Sequence, residues 1–279
     1  MRRIEASEII RNIKDMCIEA NYRLASDVEK SIRDAYEKEP KPIGKYVLGQ
    51  LCENLDTAKN ELIPMCQDTG MAIVFVKIGQ EIYVEGSLED AINEGIRQGY
   101  QEGYLRKSVV SDPIIRENTK DNTPGIIYYE VIPGSTLEIT VVPKGFGSEN
   151  MSRIYMLKPS DGIDGIKSSV METVRLAGPN ACPPIVVGVG IGGSFEKAAM
   201  LAKKSLTRDI NKKSDKPHIR KLEEELLESI NETGIGPAGL GGTTTALGVN
   251  IETYPTHIAG LPVAINICCH VNRHVTRTL

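Results

Sequence analysis

"PIVVGVGIGGSFEKAAMLAKKSL", residues 184–206, sets an apolar run of β-branched residues and glycines directly before a segment with helical spacing. Gly188, Gly190 and Gly193 fall in GxGxxG spacing at the junction, and how they are read decides the fold. A dinucleotide fingerprint opens a βαβ unit, and a second apolar strand ending in an acidic residue follows about twenty residues on. Here the continuation is "TRDINKKSDKPHIRKLEEE", residues 207–225, too charged to be that buried strand. A nicotinamide-binding domain is therefore not supported. The glycines are expected to admit close backbone approach or to present amides to an anion.

Working outward, the N-terminal third is helical. Ile9, Ile10, Ile13, Met16, Cys17, Ala20 and Leu24 recur at helical spacing, and Ser26 with Glu29 forms a capping box for a second helix ending before Pro40. Val47, Leu48, Leu51, Cys52 and Leu55 continue the period, so Cys17 and Cys52 read as core residues. Strands are expected at 71–78, 126–132 and 136–142, the last two as an antiparallel hairpin turning at "PGS". Ser87 caps one further helix, and another spans about 163–176. Residues 207–231 read as a solvated, charged face ending in an exposed helix. The sum is an α/β fold of mixed α+β layers: a helical N-terminal region, then mixed, largely antiparallel sheets flanked by helices. One domain over 1–279 is expected, with a seam between two subdomains near 207–235.

A net charge of −4 with scattered Lys and Arg argues against nucleic acid. The charged N-terminus and the absence of a long apolar run argue against secretion and membrane insertion, which points to the cytoplasm. In that reducing compartment six widely spaced cysteines are not a disulfide framework, and no CxxC marks a local zinc or cluster loop. Cys66 in "CQDTG", Cys182 in "NACPP" and the Cys268–Cys269 doublet in "NICCH" lie in turn-like, polar contexts. Three such loops could converge on one metal: zinc completed by His257 or His270, or an iron–sulfur cluster with one iron lacking a protein ligand. The second arrangement provides a Lewis acid.

Together, "CQDTG", "KGFGSEN" (144–150), "NACPP", "GIGPAGLGGTTT" (234–245) and "THIAGLPVAINICCHVNRH" (256–274) resemble the class I, iron–sulfur-dependent fumarases and the related L(+)-tartrate dehydratases, from about residue 45 onward. The resemblance implies a fold like the N-terminal domain of those fumarases and a [4Fe–4S] cluster held by Cys66, Cys182 and Cys269. Cys269 is preferred to Cys268 because Arg273 then falls four residues after the ligand, as in the family motif. It also implies Gln67, Arg106 and Gly147 as substrate-binding residues, with Asp68 and His257 as catalytic ones. Single-chain members continue beyond the third cysteine, whereas this sequence ends at "RHVTRTL", so it looks like the alpha subunit of the two-chain form. The expected activity is reversible hydration of fumarate to L-malate, with L(+)-tartrate dehydration as the close rival. It would require a beta subunit, alongside self-association. A non-catalytic metal-binding or electron-transfer protein is the reading from another class.

Overall fold

The computed structural model describes all residues 1–279. In chain order its elements are β1 (Arg2–Glu5), α1 (Ala6–Tyr22), α2 (Ser26–Lys38), α3 (Pro42–Glu61), β2 (Met71–Gly79), β3 (Ile82–Glu85), α4 (Leu88–Glu102), β4 (Ile126–Ile132), β5 (Leu137–Lys144), α5 (Phe146–Glu149), β6 (Arg153–Leu157), α6 (Gly162–Ala177), β7 (Ile185–Gly192), α7 (Phe195–Ser205), α8 (Pro217–Glu232), β8 (Ala246–Tyr254), β9 (Leu261–Cys268) and β10 (Val275–Thr278). The architecture is mixed α/β, as expected, with four of the seven strand pairings antiparallel. No helix is long and apolar enough to cross a membrane. The chain divides into two compact units, one of residues 1–25, 55–146 and 273–279, the other of 26–54 and 147–272. Residues 207–235 lie wholly within the second.

The first unit is built on a sheet of order β10-β5-β2-β4, beside the small parallel pair of β1 and β3. Ile9, Ile13 and Met16 of α1 and Ile92, Ile96 and Tyr100 of α4 pack with the alternate residues Val74, Val76, Ile139 and Val141. Helical period 3.6 and strand period 2 thus bring two apolar stripes onto one sheet face. Ser87 caps α4 as expected, its hydroxyl accepting from Asp90 N–H at 3.2 Å.

Residues 126–132 and 137–144 are strands, but they do not form the expected hairpin. β4 runs parallel to β2 and β5 antiparallel to it, so β2 lies between them. The "PGS" connection therefore crosses the end of β2. Gly79 makes room for it: a Cβ there would sit 2.2 Å from Gly134 O. β-branched alternation identifies a strand without identifying its neighbour.

The second unit has a sheet of order β6-β9-β7-β8. β7 is buried on both faces, which explains its unbroken apolar run. Val187 and Val189 pack with α6 and α8 through Val170, Val174, Leu222 and Leu226. On the α7 side, an added Cβ would lie 2.3 Å from Ala202 O at Gly188 and 2.1 Å from Ala198 O at Gly190. Two of the GxGxxG glycines are therefore strand residues that let a helix lie close, and they line no cofactor loop.

The charged stretch after α7 is not the solvated face expected. α8 buries Ile219, Leu222, Leu226 and Ile230, and with them Glu223. Glu223 pairs with Arg208 and accepts from Ile251 N–H at 2.8 Å and Ser214 N–H at 3.1 Å. Arg208 also reaches Glu252 at 3.0 Å, so the charges tie α8 to β8.

Candidate active site

Strand register sorts the motif loops onto particular sheet ends. In the first unit Met71, the first residue of β2, pairs with Lys144, the last of β5. "CQDTG" therefore lies at the same end as Gly145, and β10, antiparallel to β5, is entered there through Arg273. β4 runs parallel to β2, so the segment carrying Arg106 arrives at that end as well.

Asp68 is fixed at both carboxylate oxygens. Oδ1 accepts from Gly70 N–H at 3.0 Å and Oδ2 from Phe146 N–H at 2.8 Å. Its backbone carbonyl accepts from Arg273 Nη2, while Arg273 Nε donates to Pro143 O at 3.0 Å. Arg273 is only 3% exposed, and its buried Nη1 has no partner. Tyr100 OH shares its proton between Thr69 O at 2.8 Å and Gly70 O at 2.9 Å. Burial pushes the Tyr100 pKa up, so the phenol stays a donor.

The Arg106 segment is laced to this loop. Thr69 Oγ1 donates to Arg106 O at 3.0 Å. Asn122 Nδ2 donates to Gly70 O at 3.2 Å while its Oδ1 accepts from Ser108 N–H at 2.7 Å. The Arg106 and Gln67 side chains are exposed, on a backbone held at several points. Sequence reading missed Tyr100 and Asn122, since neither stands in a recognisable motif. It used Arg273 only to choose between the two cysteines.

In the second unit β7 and β8 run parallel, and both run antiparallel to β9, with Val186 opposite Cys268. The loop of Cys182 before β7, the glycine-rich loop before β8 and Cys269 after β9 must then share one end. Direct contacts agree. His270 Nδ1 hydrogen-bonds Cys182 O at 3.1 Å, and Ala238 N–H donates to Pro183 O at 2.8 Å. Glu39 accepts from Thr243 N–H at 2.8 Å and its hydroxyl at 2.9 Å, anchoring the glycine-rich loop. β6 runs antiparallel to β9, so "GSEN" arrives there too; Glu149 accepts from Asn266 Nδ2 at 3.0 Å and pairs with Lys203. Gly147 is exposed, with nothing within 4 Å of where a Cβ would stand.

His257 is not brought to this end. It lies between β8 and β9, where Gly193 N–H donates to Pro255 O at 3.2 Å, and its Nδ1 accepts from Ala259 N–H at 3.1 Å. Seven residue steps separate Leu261 from Cys268 along β9, about 23 Å at ~3.3 Å each.

The cysteines fall into two chemical groups. Cys17 is fully buried, and burial pushes its pKa up to about 12, which disfavours the thiolate a metal requires. Cys52 is half-buried, less enclosed than its helical spacing suggests. Cys268 is buried at the end of β9, its Sγ 3.9 Å from Val271 O. Cys66 and Cys269 are partly exposed and Cys182 is exposed, with a left-handed φ of +53° that lifts it off the preceding turn. No three Cys, His, Asp or Glu side chains assemble as a metal site within either unit. The donors nonetheless suit a cluster: accessible thiols in hydrogen-bonded loops, two of them at one sheet end.

Comparison with known proteins places these loops in context. The fumarate hydratase (Fumerase) family model matches residues 10–278. A Methanocaldococcus jannaschii protein, provisionally named L(+)-tartrate dehydratase subunit alpha, is 46% identical over 268 residues, covering 94% of each chain. L(+)-tartrate dehydratase subunit alpha of Escherichia coli strain UTI89 is 32% identical, and that of strain K12 31%, each over 97% of this chain and 89% of the relative.

Proposed function

Because the chain belongs to the fumarate hydratase family, we propose that it is the alpha subunit of an iron–sulfur hydro-lyase that interconverts fumarate and L-malate. The observation that carries this reading is Asp68: a carboxylate two residues after Cys66, oriented by two backbone amides and tethered through a buried arginine. Cys66, Cys182 and Cys269 would hold a [4Fe–4S] cluster, and a reducing cytoplasm suits such thiolates. When bound, the cluster supplies a Lewis acid for the hydroxyl that is added or lost.

The chain's own residues perform the rest. Arg106 takes one substrate carboxylate through its planar guanidinium, and Gln67 donates beside it. The Gly147 amide, unshielded by any side chain, orients a substrate oxygen. Asp68 Oδ2 takes the proton from the adding water and returns it to the departing hydroxyl in the reverse direction. His257 lies at the opposite end of the β9 strand from Cys269.

A beta subunit completes the pocket and supplies the opposing base, a partnership supported by the subunit names of the relatives. Those names also favour a second reading, L(+)-tartrate dehydration, in which the same groups act on a substrate with one more hydroxyl. The test is anaerobic reconstitution. About four iron and four sulfide per chain are expected. Cys66→Ser, Cys182→Ser and Cys269→Ser should each lose them, while Cys17→Ala retains them. With its beta subunit the loaded protein should hydrate fumarate; no turnover of either fumarate or tartrate would sink the proposal.

A further inference from the structure

Lys144, the last residue of β5, is only 1% exposed, an unusual burial for an ammonium. Its Nζ donates to Gly145 O at 3.0 Å. That carbonyl belongs to the peptide whose other end, Phe146 N–H, donates to Asp68 Oδ2 at 2.8 Å. The peptide is trans, so its C=O and N–H point in opposite directions, and one planar group lies between a buried cation and the Asp68 carboxylate. Both charges polarise it in the same sense, which strengthens each hydrogen bond. Turning the plane over would set a carbonyl against the carboxylate and an N–H against the ammonium, so only the observed orientation suits both charges. Gly145 has no Cβ with which to restrict that rotation. An added Cβ would stand 3.1 Å from Asp68 Oδ2, so the carboxylate occupies the side on which a side chain would project. The Lys144 backbone is itself pinned, since a Cβ at Gly70 would lie 2.8 Å from both Lys144 N and Lys144 C.

We propose that Lys144 is a positioning residue for Asp68: its ammonium holds the Gly145–Phe146 peptide in the orientation that aims Asp68 Oδ2. Arg273 holds the Asp68 carbonyl directly, and Lys144 reaches the carboxylate through one intervening peptide. Oδ1 is committed to Gly70 N–H and one lone pair of Oδ2 to Phe146 N–H. The lone pair left on Oδ2 then has a fixed direction, as a group that accepts and returns a proton requires. Packing alone would be served by an apolar residue, as at buried Val142 on the same strand, without the cost of burying a charge. The catalytic consequence rests on the hydro-lyase reading, whereas the coupling of Lys144 to Asp68 does not.

Hydrogen exchange of single amides, followed by NMR on the unloaded full chain, reads the coupling. Lys144→Met keeps the stem and removes the donor, and it should speed exchange at Phe146 about tenfold or more. Gly70, bonded to Oδ1 within its own turn, should stay near its native rate. Asp68→Ala should speed Phe146 as much, and adding Lys144→Met to it should change little further, because both act on one hydrogen bond. Lys144→Arg should keep Phe146 slow. If Lys144→Met fails to fold, Lys144→Gln, which lacks the charge, decides the matter by the same comparison of Phe146 with Gly70. In the loaded two-subunit protein Lys144→Met should lower kcat at least tenfold with KM and iron content nearly unchanged, and Lys144→Arg should restore most of that loss. Unaltered Phe146 exchange in Lys144→Met, equal acceleration at Phe146 and Gly70, additive effects in the double variant, or full kcat in Lys144→Met would each overturn the proposal. A native protein that shows the amide coupling but turns over neither fumarate nor tartrate would sink the hydro-lyase reading and leave the Lys144 tether established.

Discussion

Replacing Arg273 with Met tests whether the buried guanidinium holds the Asp68 loop in place. The substitution keeps an unbranched apolar stem but removes the donors to Asp68 O and Pro143 O, leaving two carbonyls without those partners. A hydrogen bond from a charged donor contributes about 1.5–3 kcal/mol, so the pair contributes roughly 3–6 kcal/mol. Relief of the unpartnered Nη1 and of the buried charge opposes this, since apolar replacement of buried charge is often tolerated. A net loss of about 3 kcal/mol remains, because the Pro143 carbonyl stays buried and the Asp68 carbonyl partly so after the charge has gone. At about 2–4 °C per kcal/mol for a chain approaching this size, the thermal midpoint should fall by about 6–12 °C. Circular dichroism of the full chain reads the shift, and the loaded two-subunit protein should also lose at least tenfold in kcat as Asp68 loosens. Arg273→Lys, which can satisfy one carbonyl, should recover part of both losses. A midpoint within about 2 °C of the native value, with kcat intact, would refute the tether.

Gly190→Ala places a Cβ 2.1 Å from Ala198 O, a backbone atom that cannot step aside, so α7 must shift from the sheet. A loss of about 1–3 kcal/mol in urea unfolding is expected, and an unchanged midpoint would show that the glycine serves something other than packing. Asp121 provides a pH test. Burial raises its pKa, but hydrogen bonds from Thr123 N–H, the Thr123 hydroxyl and Arg97 outweigh it and hold the carboxyl at about 2, against an ordinary 3.8. The folded value is the lower one, so this stability is present above about pH 4 and disappears as pH falls toward 2. Native protein should lose up to about 2 kcal/mol across that window that Asp121→Asn does not; parallel acid-unfolding curves would contradict the assignment.

Local periodicity carried the helices well. The spacing of Ile9, Ile13, Met16 and Cys17 predicts a face that the structure buries, and the Ser87 cap stands where the sequence puts it. Strand partners were less legible, because alternation in residues 126–142 reports a half-buried strand and says nothing of β2 lying between. Charge counting failed at α8: Glu223 and Arg208 look like surface residues until the fold closes them on each other. The same limit hid Asn122, whose function is to satisfy the backbone of two loops distant in sequence.

His257 shows why motif proximity and site proximity are different quantities. In "THIAGLPVAINICCH" it stands twelve residues before Cys269, and a compact motif reads as a compact site. Yet the residues between include all of β9, an extended strand about 23 Å long from Leu261 to Cys268. Cys182 and Cys269, eighty-seven residues apart in sequence, share a sheet end because β7 and β9 run antiparallel with Val186 opposite Cys268. Within the second unit, then, register gathers the loops of Cys182 and Cys269 at one sheet end and leaves the histidine at the other.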